Sequence, residues 1–532
     1  MLTPKDYGLP FENFRPHQLE TALQIKAAFD RGIKVVWVQA PTGIGKTLLS
    51  VLVAMMLELD MIYTCHTKTL QQQFMKDFRV IGAEELTGRV NYPCLKNTSM
   101  FPTISAELCT RNSPNCKNCE LNKGGCQPDA EGHCPCKSDC PYEIQKRKTL
   151  LAPIGVLNIP YFLREINFAG GFDGQELVVL DEADQTENAL LAMIELSIPE
   201  TIMKKFNLPQ LKPKTKPESW KEWAACTLEI VNQQLSSLQD KWHAEDLISW
   251  HQLSRLKTKL EFFVSEADDN LIYDNNNSFK PVRVNKYAEK YLWSHGKRFL
   301  GISATISPWR QLCHDLGIDP TEVEFIDVPS IFDVARYPIY YQPVANMGRD
   351  TKEAEIPALV RAIDRIIEHY PDQKGLIHCV SYDNMYRILN LTKYPERMIH
   401  HVDNNRESQL RQFMSSNHPL VLLSPAMERG VDLPDDYCRF IVIIKVPFPF
   451  LGDPQIKARL YQHKSDGQTW YNAATVRRIV QSTGRGMRSP TDQCVSYILD
   501  STFGDFYQRN MAMFPRWWRD ALILKGGDVQ LQ

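Results

Sequence analysis

The stretch Val35-Val36-Trp37-Val38-Gln39-Ala40-Pro41-Thr42-Gly43-Ile44-Gly45-Lys46-Thr47 joins an apolar run to a glycine-containing loop. The apolar run predicts a buried strand, and the apolar residues after the loop predict a helix. Between a strand and a helix, small residues let backbone N–H groups surround phosphates, while a lysine reaches the β and γ oxygens. The stretch therefore predicts a nucleotide-binding loop, with contacts from Thr42, Gly43, Gly45, Lys46 and Thr47, the last also ligating Mg²⁺.

A second apolar run, Leu177 to Leu180, ends in Asp181-Glu182-Ala183-Asp184. Ligands of parallel sheets bind at the carboxyl ends of the strands, so these carboxylates are expected beside the phosphate loop. Asp181 would hold Mg²⁺ through water, and Glu182 would polarise the water that attacks the phosphate.

The runs around these motifs predict an α/β protein with two parallel sheets covered on both faces. Val35–Val38 and Leu177–Leu180 are the clearest strands of the first sheet. The second region begins near residue 340, and its expected strands are Gly375–Cys379, Leu420–Leu423, Phe440–Ile444 and Tyr497–Leu499.

Charge and length exclude several other classes. The chain has 532 residues, with 61 basic against 63 acidic, so any nucleic-acid contact must use local basic tracks. The longest apolar stretch, Leu48 to Tyr63, contains Ser50, Glu58 and Asp60 and is shorter than the roughly 20 residues that span a bilayer. The first ten residues lack a signal-peptide pattern. We expect no membrane helix and a cytoplasmic protein.

The cysteines are clustered. Eight of the 14 lie between Cys94 and Cys140, and in an intracellular chain such clusters usually bind metal. A block of about a hundred residues follows, from about residue 187 to 290. Its apolar residues recur at three- and four-residue spacing, which predicts two packed helices with a common core: Trp220, Trp223, Leu228, Val231, Leu235, Leu238 and Trp242, then Leu253, Leu256, Leu260 and Phe263.

The second α/β region contains Gln481-Ser482-Thr483-Gly484-Arg485-Gly486-Met487-Arg488. Arg485 and Arg488 are three residues apart, so on a helix they would share a face. From there they could act as arginine fingers on a γ-phosphate held by the other domain.

Together these motifs resemble the superfamily 2 helicases, and further segments are similar to the iron-sulfur XPD/DinG type. These segments are Phe14–Gln18 (entry motif), Thr67–Leu70 (motif Ia), Gly88–Cys94 and Cys140–Tyr142 (the ends of the cluster domain), Val156–Tyr161, Ser303–Pro308 (motif III) and Glu428–Asp432 (motif V). The resemblance covers nearly the whole chain. The phosphate loop has Ala40 where the strict pattern has glycine, and the acidic box has Asp184 where the family usually has histidine.

The resemblance implies two RecA-like motor domains, the first interrupted by a cysteine-rich domain and by a short helical arch domain. Motor domain 1 would comprise residues 1–88, 142–186 and 291–339, the cluster domain 89–141, the arch 187–290 and motor domain 2 340–532. ATP would lie between the motor domains, contacted also by Gln18, Asp432 and Gln481, with Gln18 reading adenine. The implied activity is ATP-dependent DNA unwinding with 5′→3′ movement on single-stranded or forked DNA, by a protein expected to be monomeric.

The resemblance also implies a [4Fe-4S] cluster, which needs four thiolates. The flanking motifs assign Cys94 and Cys140, and the favoured inner ligands are Cys109 and Cys134. This choice leaves Cys116, Cys119, Cys126 and Cys136, which form either a zinc site or spare thiols in a loop. The rival assignment uses Cys116 and Cys119 as the inner ligands of the cluster, and a block that binds only zinc is a further alternative.

Two other functions remain open at this point. One is a nucleic-acid-stimulated ATPase that translocates or displaces proteins without opening a duplex. The other is a metal-dependent regulatory module with a vestigial ATPase, against which intact Lys46, Glu182 and Arg485 argue. The tail Phe514–Arg519 mixes aromatics with arginines, so it is either a strand-binding track or part of the core, the latter favoured.

Overall fold

The computed structural model describes residues 2–94, 105–108, 140–169, 171–211, 216–238, 244–274, 277–402, 405–425, 433, 435–462, 464–484, 486–487 and 491–524. The strands are β1 Val35–Gln39, β2 Met61–Cys65, β3 Ala83–Leu86, β4 Ile154–Asn158, β5 Gln175–Asp181, β6 Leu196–Ser197, β7 Leu271–Asp274, β8 Ser278–Pro281, β9 Gly296–Ser303, β10 Val323–Asp327, β11 Ile339–Ala345, β12 Gly375–His378, β13 Met398–His400, β14 Val421–Ser424, β15 Phe440–Ile443, β16 Val495–Asp500 and β17 Leu522–Leu524.

The helices alternate with these strands along most of the chain. They are α1 Gln18–Asp30, α2 Lys46–Leu57, α3 Lys68–Phe78, α4 Pro141–Leu151, α5 Ile159–Arg164, α6 Thr186–Ile194, α7 Glu200–Lys205, α8 Pro217–Leu238, α9 Ala244–Glu266, α10 Asn285–Tyr291, α11 Trp309–Asp315, α12 Lys352–His369, α13 Tyr382–Leu391, α14 Arg406–Ser415, α15 Pro454–Gln462, α16 Lys464–Thr483, α17 Thr502–Asn510 and α18 Arg516–Ala521.

Two seven-stranded parallel sheets organise the molecule. The first has the order β10-β1-β9-β5-β2-β4-β3, and the second has the order β13-β14-β12-β15-β16-β11-β17. We call the parts of the chain built around them the first and second α/β domains. Strands such as β1 and β15 are buried along their whole length, as expected when helices cover both faces of a sheet. The predicted fold class is confirmed.

The segment between α6 and α10 builds a core of its own. The two predicted helices, α8 and α9, pack through the predicted apolar residues, among them Trp220, Val231 and Leu260. A small antiparallel sheet, β6-β8-β7, completes this unit and was not predicted from the sequence. At its ends, Leu190 of α6 and Tyr287 of α10 pack in the core of the first α/β domain instead.

Among the described residues, no helix is long and apolar enough to cross a membrane.

Candidate nucleotide site between the two α/β domains

The phosphate loop has the predicted setting. β1 ends at Gln39 and α2 begins at Lys46, so the loop joins an inner strand of the first sheet to a helix. Gly43 and Gly45 have φ angles of 85° and 80°, in the left-handed region that favours glycine. The loop thereby presents the N-terminal end of α2 to the cleft, where backbone N–H groups can bind an anion.

The entry motif is packed directly on this loop. The Gln18 side chain is buried, donates from Nε2 to the Ile44 carbonyl at 2.6 Å, and accepts from the Arg15 N–H at 2.7 Å. The Arg15 guanidinium donates to the Gly43 carbonyl. Gln18 therefore supports the phosphate loop, and its predicted contact with adenine stays a prediction.

Asp181 lies at the end of β5, beside the loop, and is only 8% exposed. Burial raises its pKa to about 6, the Glu182 carboxylate adds to this shift, and Lys46 and Tyr63 oppose it. A bound divalent cation would favour the ionised carboxylate, so the donor set of Asp181 and Thr47 fits a hydrated Mg²⁺ ion.

Tyr63 of β2 is a site residue that the sequence reasoning missed. Its hydroxyl is buried close to Asp181 and Thr47, the two predicted magnesium-binding residues, and burial beside the Asp181 carboxylate raises the pKa of Tyr63. A buried tyrosine hydroxyl usually needs a polar partner, and a tyrosine inside a predicted apolar strand was the available signal.

Glu182 has a φ of 50°, a left-handed conformation that is strained for a glutamate. Its carboxylate lies 3.7 Å from the Lys46 ammonium and accepts a 3.3 Å hydrogen bond from Ser303. The side chain is 36% exposed, so the carboxylate faces the open cleft. This orientation suits a group that polarises water.

Asp184 connects three motifs. Ser303 at the end of β9 donates to Asp184 Oδ1 at 2.6 Å, and Gln481 of α16 donates to Asp184 Oδ2 at 2.9 Å. Gln481 also donates to Thr305 at 3.2 Å. The acidic box, motif III and the second α/β domain thus meet at one carboxylate.

The other predicted site residues of the second α/β domain lie outside the described residues: Arg485, Arg488 and Asp432, with the rest of motif V from Glu428. Two residues before Arg485, Thr483 at the end of α16 accepts a 2.8 Å hydrogen bond from Trp518, and Trp518 is fully buried. The tail aromatics thus belong to the core of the second α/β domain, which supports the reading of Phe514–Arg519 as core.

The linker between the sheets also touches the phosphate loop. A side chain at Gly43 would meet the Phe332 ring at 2.0 Å, and Phe332 packs in the core of the second α/β domain. Gly43 is thus restricted by its φ and by this close approach.

Of the predicted cluster ligands, only Cys94 and Cys140 are described, and Cys109, Cys134, Cys116, Cys119, Cys126 and Cys136 lie outside the described residues. The described ends of the cysteine block are held together. The Tyr92 ring, two residues before Cys94, lies 5.6 Å from the Tyr142 ring, two residues after Cys140. This closure fits ligands at both ends of the block, although the described part of the chain contains no group of side chains that could hold a metal ion.

Comparisons with known proteins identify helicase segments. A helicase C-terminal domain model matches residues 363–521, and a model described as type III restriction enzyme, res subunit, matches residues 12–115. The ATP-dependent DNA helicase YoaA of Haemophilus influenzae is 29% identical over 96 residues, which are 17% of this chain and 15% of YoaA. The match therefore spans well under two thirds of that relative.

Solved structures match over the whole chain. A structure of an XPD helicase has a TM-score of 0.64 at 17% identity, and the match covers 97% of this chain and 100% of the other. The Xpd4 protein of S. tokodaii has a TM-score of 0.57 at 16% identity, with 96% and 100% covered. At such identities these matches concern the fold.

Two RecA-like domains, with a phosphate loop on the first and Gln481 near the end of α16 on the second, have the architecture of two-domain nucleotide-dependent motors. The helicase domain model, the partial relative and the whole-chain fold agree with the XPD/DinG type of superfamily 2 helicases, which this chain resembles. The predicted resemblance is confirmed.

Proposed function

We propose that this protein is an ATP-dependent DNA helicase that moves 5′→3′ on single-stranded DNA and hydrolyses ATP between its two α/β domains. The observation that supports this is the Asp184 carboxylate, which accepts hydrogen bonds from Ser303 of its own domain and from Gln481 across the cleft. A nucleotide bound on one sheet can drive movement only if the other domain has contacts that depend on it. Asp184 supplies such a contact two residues from Glu182.

In this proposal the first wall of the site consists of Lys46, Thr47, Asp181 and Glu182. Lys46 orients the terminal phosphates, Thr47 and Asp181 hold the hydrated Mg²⁺, and Glu182 orients the attacking water. The magnesium ion would neutralise charge on the phosphates.

The second wall consists of Asp432, Gln481, Arg485 and Arg488. Its arginines would stabilise charge in the transition state once the domains have closed. We retain the domain boundaries predicted from the sequence: 1–88, 142–186 and 291–339 for the first motor domain, 89–141 for the cluster domain, 187–290 for the arch and 340–532 for the second motor domain. Within the arch range, α6 at its start and α10 at its end pack in the core of the first motor domain. We also propose that the protein is monomeric and cytoplasmic and that it acts on forked DNA.

The decisive experiment measures ATP hydrolysis with and without single-stranded DNA, and strand separation on forks that carry a 5′ or a 3′ tail. We expect DNA to stimulate hydrolysis and only the 5′-tailed fork to open. Stimulated hydrolysis without strand separation would instead indicate a translocase that displaces proteins. No stimulation by any nucleic acid would refute both.

A [4Fe-4S] cluster on Cys94, Cys109, Cys134 and Cys140 is proposed as well, at the point where the strands separate. The closed ends of the cysteine block support it, since four ligands spread over this segment must converge. A zinc ion on Cys116, Cys119, Cys126 and Cys136 is proposed as a second site.

Metal analysis and visible absorbance of anaerobically purified protein distinguish iron from zinc, and single Cys→Ser variants assign the ligands. Loss of iron and colour at Cys109 and Cys134, but not at Cys116 and Cys119, is the expected result. The reverse pattern would favour the rival pair.

A further inference from the structure

A buried ion triad joins the two α/β domains away from the phosphate loop. The Arg459 guanidinium of α15 bonds the Glu187 carboxylate of α6, and its Nη2 donates to Asp315 Oδ1 of α11 at 2.7 Å. The three side chains are 2%, 7% and 2% exposed, respectively. The guanidinium also lies 4.2 Å from the Trp470 ring centre, a cation–π contact within the second α/β domain.

Both carboxylates stand next to the catalytic motifs. Glu187 lies in the first turn of α6, which begins directly after the turn Ala183–Gln185 that carries Asp184. Asp315 ends α11, the helix that follows motif III. A helix moves as a rigid unit. A displacement of α15 that moves Arg459 therefore also moves α6 and α11 through the two carboxylates, and with them the motif residues that precede these helices.

The opposite charges of the buried triad stabilise one another. Burial raises the pKa of Glu187, and the Arg459 charge opposes the shift. Arg459 has a raised pKa despite burial, because Glu187 and Asp315 stabilise its charge. A buried ion group of this kind adds little net stability compared with apolar residues of similar size, whereas a missing partner leaves a charge unpaired. Its distinctive property is a fixed geometry between the parts that it joins.

We propose that the Glu187–Arg459–Asp315 triad transmits the position of the second α/β domain to the acidic box, and that Glu187 is a positioning residue for nucleic-acid-stimulated ATP hydrolysis. This inference rests on the proposed function, since it requires that DNA binding and ATP hydrolysis are coupled. The triad acts through α6 and makes no contact with the nucleotide.

The test compares Glu187→Gln with Glu187→Met. Both remove one charge and leave the Arg459–Asp315 pair balanced, so both should fold. Only glutamine retains an oxygen that can accept the Arg459 hydrogen bond. We expect Glu187→Met to lower DNA-stimulated kcat by about tenfold, with basal kcat and the KM for ATP within about twofold of wild type. Glu187→Gln should keep most of the stimulation.

An exposed triad provides the matched control. Arg387 of α13 bonds Glu353 at 2.6 Å and Asp383 at 3.0 Å, entirely within the second α/β domain. Glu353→Met should leave stimulated kcat unchanged.

Hydrogen exchange supplies a readout independent of turnover. Amides of α6 should exchange faster in Glu187→Met than in Glu187→Gln, and Glu353→Met should leave them unchanged. The inference is overturned if the methionine and glutamine variants show equal stimulation, or if Glu187→Met loses thermal stability while its stimulation stays at the wild-type level. A wild-type protein without stimulated hydrolysis would refute the proposed function itself.

Discussion

Removing the Asp184 carboxylate should uncouple the ATP site from the second α/β domain. In Asp184→Ala, Ser303 and Gln481 lose the acceptor that they share. A hydrogen bond to a charged acceptor contributes about 1.5 kcal/mol or more, so the two together contribute about 3 kcal/mol. If the whole amount appears in the closed, reactive state, DNA-stimulated kcat falls roughly 150-fold.

Asp184→Asn should have a much smaller effect. Its amide can turn its oxygen toward Gln481 and its nitrogen toward Ser303, whose hydroxyl can accept as well as donate. We therefore expect a loss of less than about tenfold. The contrast between the two variants separates the hydrogen-bond connection from the negative charge.

The assay measures kcat and the KM for ATP at saturating single-stranded DNA and without DNA, together with the melting temperature. Asp319→Ala is the matched control, because that carboxylate also accepts two hydrogen bonds, from the Thr321 N–H at 2.9 Å and its hydroxyl at 2.8 Å, but is exposed. Equal losses of basal and stimulated turnover in Asp184→Ala would refute the coupling argument, and so would wild-type stimulation.

Three further substitutions test separate parts of the site. Lys46→Ala should abolish ATP hydrolysis but leave single-stranded DNA affinity nearly unchanged, as measured by fluorescence anisotropy; parallel loss of both would count against separate surfaces. Arg485→Ala or Arg488→Ala should lower kcat by about a thousandfold with little change in nucleotide affinity, and wild-type turnover would exclude the finger role. Trp518→Phe should lower the free energy of unfolding by about 1 kcal/mol, because Thr483 loses a buried donor; an unchanged denaturation midpoint would contradict this.

The two parallel sheets could be predicted because their strands are continuous apolar runs. The run Val35–Val38 was predicted as a strand, and β1 spans Val35–Gln39; Phe440–Ile444 was predicted, and β15 spans Phe440–Ile443. A strand that is buried on both faces contains few polar residues, so it forms a continuous apolar run that is easy to recognise in the sequence. The helices α8 and α9 were predictable for a similar reason, since a common core imposes a three- and four-residue spacing.

The small antiparallel sheet could not be found in this way. β6 consists of Leu196 and Ser197 alone, and β7 and β8 contain four residues each. Strands this short carry almost no periodic signal, and their pairing depends on the packing of Phe279 against Trp220 and Trp223. Tyr63 escaped prediction for a related reason, because its apolar ring fits a strand and only the fold brings its hydroxyl to Asp181.

The contacts between the domains show most clearly what sequence motifs leave out. Arg459 is 272 residues from Glu187 and 144 from Asp315, so no local pattern connects them. Once the fold is known, short spacing becomes informative again. Asp184, in the turn before α6, accepts a hydrogen bond from Gln481 of α16, and Glu187, in the first turn of α6, bonds Arg459 of α15. Two carboxylates only three residues apart thus contact two helices of the second α/β domain, so a displacement of that domain at Gln481 also acts on the buried charges around Glu187.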